Sequence, residues 1–162
     1  MRNRNLIAFL VFVAAAWASH AAAQERWATY TDSRGTRIEY PDDLFSEQIG
    51  DEGGGRVFAT RDGRARLHLF SMDNPKGFSP QAFMRNYFPT SRESLTYDRV
   101  ARNFFAVSTR REGLIVYLRC NFSSARGGTL HCADIRYPIN EKRDWDAIVT
   151  RISRSVRPLP SR

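Results

Sequence analysis

Cys120 and Cys132 are the only cysteines of the chain, and each lies inside a run rich in β-branched and aromatic residues. The runs cover residues 114–122 and 129–137, with the turn-prone segment 123–128 between them, which reads as a β-hairpin. An antiparallel register that sets the cysteines opposite each other also pairs Tyr117 with Ile135 and Phe122 with Leu130. Side chains alternate along a strand. Leu114, Val116, Leu118, Cys120 and Phe122 therefore share one face, and Ile115, Tyr117, Ala133, Ile135 and Tyr137 share the other. Both faces are partly apolar, so both need cover, which points to a sheet held between two layers. A cross-strand disulfide closing so short a loop contributes about 2–3 kcal/mol. The alternative is two buried free thiols.

An even cysteine count indicates a disulfide where the compartment is oxidising, and the N-terminus points to such a compartment. Arg2 and Arg4 precede an apolar run at residues 6–17, and Ala21-Ala22-Ala23 follows as an A-x-A cleavage site. This order predicts a signal peptide over residues 1–23, cut after Ala23, and a periplasmic or secreted product. A membrane anchor is the competing reading, but twelve helical residues rise about 18 Å against a hydrocarbon core of about 30 Å. No later stretch approaches that length, so no transmembrane segment is expected in the mature chain. Residues 24–162 then suit one α+β domain with a short proline-containing tail at Pro158 and Pro160.

Turn signals divide that domain. Strands are expected at residues 27–31 and 36–40, joined by Asp32-Ser33-Arg34-Gly35 and stopped by Pro41. Residues 46–55 are polar and end in three glycines, which reads as a mobile surface loop. Asp62-Gly63 joins strands at 56–60 and 65–72, in a turn expected to need positive φ at both central positions. Ser79-Pro80 starts a helix with Phe83, Met84, Tyr87 and Phe88 on its apolar face and Pro89 at its end. Further strands are expected at 97–102 and 104–109, before the cysteine hairpin. The last helix spans about 141–156, capped by Asn140, and carries Trp145, Ile148, Val149, Ile152 and Val156 as one apolar stripe. The sum is an antiparallel sheet of about six or seven strands flanked by two main helices.

Two resemblances fit this order. The segment Gly35-Thr36-Arg37-Ile38-Glu39-Tyr40-Pro41, then Leu44-Phe45 and the Asp62-Gly63 hairpin, resembles the opening of PsbP-like domains, and the final helix with its tryptophan also fits. Tyr137-Pro138 and the run from Trp145 to Pro158 resemble the ending of uncharacterised secreted proteins of alphaproteobacteria. The PsbP resemblance implies an α/β/α sandwich, a binding or assembly role and no catalytic residues to carry over, although a fold does not fix a function.

The chemistry-bearing residues are sparse. His68 and His131 are the only histidines after the signal, and His131 and Asp134, three apart on a strand, face opposite ways. No zinc-like spacing occurs, so no metal or cofactor is expected. His68 reads as a half-buried sheet residue opposite Val57. There is no G-x-S-x-G, and a disulfide removes the cysteines as nucleophiles. The acidic pairs Asp42-Asp43 and Asp51-Glu52 read as turn-forming or solvated. Gly53-Gly54-Gly55-Arg56 lacks the Lys-Ser/Thr of a phosphate loop.

The chain has 25 basic and 17 acidic residues, a formal charge of +8, and lysine only at Lys76 and Lys142. Such a surplus favours anionic partners, although the acids are interleaved through most of the chain. Export argues against nucleic acid as the partner, even with Phe104-Phe105 and Arg110-Arg111 in sequence. The candidate anion-contact residues are Arg143, Arg151 and Arg154 on the outer face of the last helix, with Arg157 beyond. The expected function is a non-catalytic binding or assembly module for an envelope protein or an anionic envelope component. The contact is expected on the basic helix or on the sheet surface beside Tyr117 and Tyr137. The alternatives are a small secreted hydrolase and a carrier of a small apolar ligand. A cleft gathering His68 or His131 with a serine and a carboxylate would mark the hydrolase.

Overall fold

The computed structural model describes residues 26–52, 55–87, 95–124 and 128–159. The expected signal peptide, Phe88, Pro89 and Pro160 lie outside the described residues. The strands are β1 (Trp27–Thr31), β2 (Thr36–Pro41), β3 (Glu47–Glu52), β4 (Gly55–Ala59), β5 (Arg66–Asp73), β6 (Leu95–Val100), β7 (Phe104–Arg111), β8 (Leu114–Phe122), β9 (Thr129–Pro138) and β10 (Arg157–Pro158). The helices are α1 (Pro80–Tyr87) and α2 (Lys142–Ser155). Seven strands form one antiparallel sheet in the order β3-β4-β5-β9-β8-β7-β6, and β1-β2-β10 make a second, smaller sheet.

The cysteine hairpin has the expected register. Cys120 lies opposite Cys132, Tyr117 opposite Ile135 and Phe122 opposite Leu130. The two sulfurs stand at disulfide-bond distance, with the Cα atoms 4.1 Å apart. The two faces of the hairpin also divide as alternation requires. Leu118, Cys120, Phe122, Leu130 and Cys132 join Phe105, Val107 and Phe83 of α1 in one core. Ile115, Ala133, Ile135 and Tyr137 join Leu67, Leu69, Ile38 of β2 and the Trp145–Val149–Ile152–Val156 stripe of α2 in the other. Trp145 stacks on Tyr137 with ring centroids 5.3 Å apart, and Phe45 meets it edge-on at 5.8 Å. The small sheet thus shares with α2 the task of covering one face. The architecture is α+β, with a helix on each face of the large sheet.

Three local expectations are corrected. Residues 47–52, expected as part of a loop, form β3 and pair with β4, with a bulge between Gln48 and Gly50. The sequence there is polar because β3 is an edge strand, where polar residues discourage pairing with other chains. At the Asp62-Gly63 turn, Gly63 has φ +69 and Asp62 is not among the positive-φ residues. Asp62 instead accepts bonds from the Thr60 hydroxyl at 2.6 Å, the Arg64 guanidinium Nε at 2.6 Å and the Arg64 amide at 3.1 Å, which hold its carboxyl well below the usual range. Asn140 does not cap α2. A 3₁₀ turn over Ile139–Glu141 leads into the helix, and Glu141 occupies the cap position without a side-chain cap bond. Its carboxylate accepts the Trp145 indole N–H at 3.2 Å. Gly55, the last of the glycine run, opens β4, where a Cβ would overlap the Leu69 carbonyl oxygen. Close backbone approach therefore accounts for that glycine.

Candidate functional site

The α2-side face of the large sheet is apolar at its centre, over Leu67, Leu69, Ile115, Ala133 and Ile135, and changes character toward the β6 edge. Side chains on this face line up in rows across three strands. Tyr97, Ser108 and Tyr117 form one row, and Arg99, Ala106 and Arg119 form the next. A bulge between Leu95 and Tyr97 makes the first row possible. Two residues apart, these side chains would ordinarily share a face. The extra residue sends Leu95 to the α1 core and Tyr97 to the α2 side, where its ring lies 6.5 Å from that of Tyr117. Arg99 and Arg119 both approach the ring of Phe104, at 5.6 and 3.9 Å. Arg119 also donates Nε to Asn121 Oδ1 at 2.9 Å.

Helix α2 closes the other side of this region. The result is a groove of about 450 Å³ whose lining includes Tyr97, Arg99, Tyr117, Arg119, Tyr137 and Arg154. Tyr117 Oη and Ser153 Oγ are 2.7 Å apart and tie sheet to helix. Burial raises the Tyr117 hydroxyl, and burial together with nearby Asp146 pushes Tyr137 up to about 12, so both remain neutral donors. Burial pulls the Arg119 guanidinium down.

The arginines singled out from sequence are divided by the structure. Arg154 enters the groove with Tyr117 and Tyr137, the two sheet tyrosines expected beside a contact surface. Arg151 and Arg157 turn instead to Glu39 of β2, at 3.8 and 3.7 Å, and Arg151 also covers the Trp27 ring at 3.9 Å. They line a second groove of about 690 Å³, bordered by Arg154 as well. Arg143 is exposed and lines neither. A third recess of about 500 Å³, beside the Asp62 turn, has Arg64 bonded to both Asp62 and Glu141. Sequence reasoning missed Arg99, Arg119 and Tyr97. Their signal is a repeated Tyr-x-Arg, at Tyr97-Asp98-Arg99 and Tyr117-Leu118-Arg119, which puts both side chains of each pair on one face of its strand.

The histidines lie elsewhere. His68 stacks on Phe70 at 4.7 Å, half-buried opposite Val57 as expected. His131 is 3% exposed and ends a chain of buried polar groups. Its Nδ1 lies 2.7 Å from the Thr36 hydroxyl, which also meets Ser71 Oγ, and Ser71 donates to Asp32 Oδ2 at 2.9 Å. This does gather a histidine, a serine and a carboxylate. However, the serine bonds the carboxylate and the hydroxyl of Thr36, and His131 lines none of the three grooves. Its geometry joins β2 to β5 and β9. Asp42 bonds Arg26 through both oxygens at 2.9 and 3.0 Å, and Asp43 accepts the Leu44 amide, the solvated and turn roles expected of that pair. Among the described residues no group of three or more His, Cys, Asp or Glu is placed to hold a metal ion. No described helix is long and apolar enough to cross a membrane.

No family model and no curated protein matches this chain. A solved structure does: the solution structure of cyanobacterial PsbP (CyanoP) from Synechocystis sp. PCC 6803, with a TM-score of 0.62 over 86% of this chain and 96% of that one. The fold is PsbP-like. Sequence identity is 11%, so the likeness carries the PsbP-like architecture and nothing about the groove.

Proposed function

We propose that this chain is an exported, non-catalytic binding module that holds its partner in the groove between α2 and strands β6–β8. The observation that carries the reading is the lining of that groove. Two Tyr-x-Arg pairs on β6 and β8 and Arg154 of α2 converge on one recess of binding-site size. Aromatic rings and arginines are the side chains most often found at the energetic centre of binding surfaces. Support for a non-catalytic role comes from His131, whose network is interior and oriented toward structure. Support for export is the signal-like N-terminus and the paired cysteines, a pairing characteristic of oxidising compartments.

The test is capture of the exported chain by mild crosslinking in its own envelope, with Arg99→Glu/Arg154→Glu as the comparison. A reproducible protein or glycan held by the wild type and lost in the variant is expected. Capture that charge reversal leaves intact would overturn the groove as the contact.

A further inference from the structure

The groove's lining also specifies a class of ligand, an inference that rests on the binding-module reading. Among the described residues no carboxylate lies within ion-pair distance of Arg99, Arg119 or Arg154. Asp146, which also borders the groove, has both oxygens 2.8 Å from Lys142 Nζ. Three guanidinium groups thus border one concave recess, and the carboxylate that borders it with them is paired to Lys142, which lines the same recess. A low-dielectric wall concentrates such a field. Guanidinium forks match the two oxygens of a carboxylate through parallel charge-assisted hydrogen bonds. The rest of the wall is rich in hydroxyls, including Ser108, Thr150, Tyr117 and Tyr137. Neutral hydroxyls both donate and accept, which suits a ligand that itself carries many hydroxyls. Tyr97 is 45% exposed and offers an open ring at the mouth. The C–H face of a sugar ring is the natural complement of such a surface.

We propose that the groove binds an acidic saccharide, with a carboxylate among Arg99, Arg119 and Arg154 and a sugar ring against Tyr97. No bond is made or broken in this role. The charge supplies attraction and the aromatic ring selects a pyranose over a bare anion.

Isothermal titration calorimetry of the full chain with a galacturonate trisaccharide, the neutral galactose trisaccharide and inorganic phosphate tests this. The uronate should bind at least about tenfold more tightly than the neutral sugar, as expected when a charged hydrogen-bonding group is removed. Arg99→Gln/Arg154→Gln, both on exposed side chains, should weaken uronate binding by about tenfold or more. Arg143→Gln should leave it within about twofold. Tyr97→Ala should weaken uronate binding and leave phosphate binding unchanged. A wild type that ignores the uronate, or a uronate affinity indifferent to Arg99 and Arg154, overturns the proposal. So does phosphate binding as tight as uronate with no dependence on Tyr97. If the uronate fails while captured partner still depends on Arg99 and Arg154, the saccharide alone is wrong. If both dependences vanish, the binding-module reading falls with it.

Discussion

The two faces of the large sheet are built from the same seven strands and are finished differently. The α1 face closes on itself: Phe83 of α1 meets Phe105 and Phe122 at centroid distances of 6.3 and 5.8 Å, over a cysteine pair with no exposed surface. The α2 face closes in part. Helix α2 and the small sheet seal its centre. One flank is a polar seam running from Asp32 through Ser71 and Thr36 to His131, and the other is the groove of tyrosines and arginines. One face is therefore filled by apolar packing, and the other divides its area between packing and the groove proposed above as the contact surface. Positions that break the apolar alternation on a face otherwise buried mark where a protein has spent stability on something else.

Four variants sharpen or break that contrast. The largest effect is expected from Phe105→Ala, which empties the centre of the α1 core. Chemical denaturation should show a loss of about 3–5 kcal/mol, with the spectrum of the groove residues preserved in what remains folded. Replacing both cysteines by alanine should cost about 2–3 kcal/mol through the loosened unfolded chain, measured on oxidised wild type against variant. Tyr117→Phe removes the hydroxyl that bonds Ser153, a residue with 4% exposure. A loss of about 1 kcal/mol is expected by the same method, and a loss near zero would detach the groove from the helix–sheet joint.

The fourth concerns acid. Burial holds the His131 imidazole below its ordinary value of 6.5. The unfolded chain then binds the proton more readily than the folded one, so this contribution is complete above about pH 6.5 and declines as pH falls toward the folded value. His131→Gln should flatten the fall in stability below that pH, whatever it does to stability at neutral pH. An unchanged slope would show that the seam does not sense protons.

Most of the fold could be read from local rules because it rests on them. Alternation in residues 114–122 and 129–137 set both the register and the two-sided cover, and the i, i+3, i+4 stripe from Trp145 set the docking face of α2. What escaped depends on departures from period two. The bulges at Gln48/Gly50 and Leu95/Tyr97 each shift a register by one residue, and a polar edge strand reads like a loop. The groove escaped for the same reason. Counting from Leu95 without the bulge sends Tyr97 and Arg99 to the α1 side, away from Tyr117 and Arg119. The outer-helix arginines were visible, but Arg151 and Arg157 meet Glu39, 112 and 118 residues away in sequence, and no periodicity foretells that pairing.

Tyr87 on α1 and Tyr97 on β6 allow the most direct test of the division between faces. They are 46% and 45% exposed, on opposite sides of the sheet. Benzoylphenylalanine at each position, irradiated in the envelope of expressing cells, compares the two faces at matched exposure. A discrete adduct from position 97 and none from position 87 is expected. An adduct from position 87 alone would place the contact on the face assigned here to stability and contradict the account.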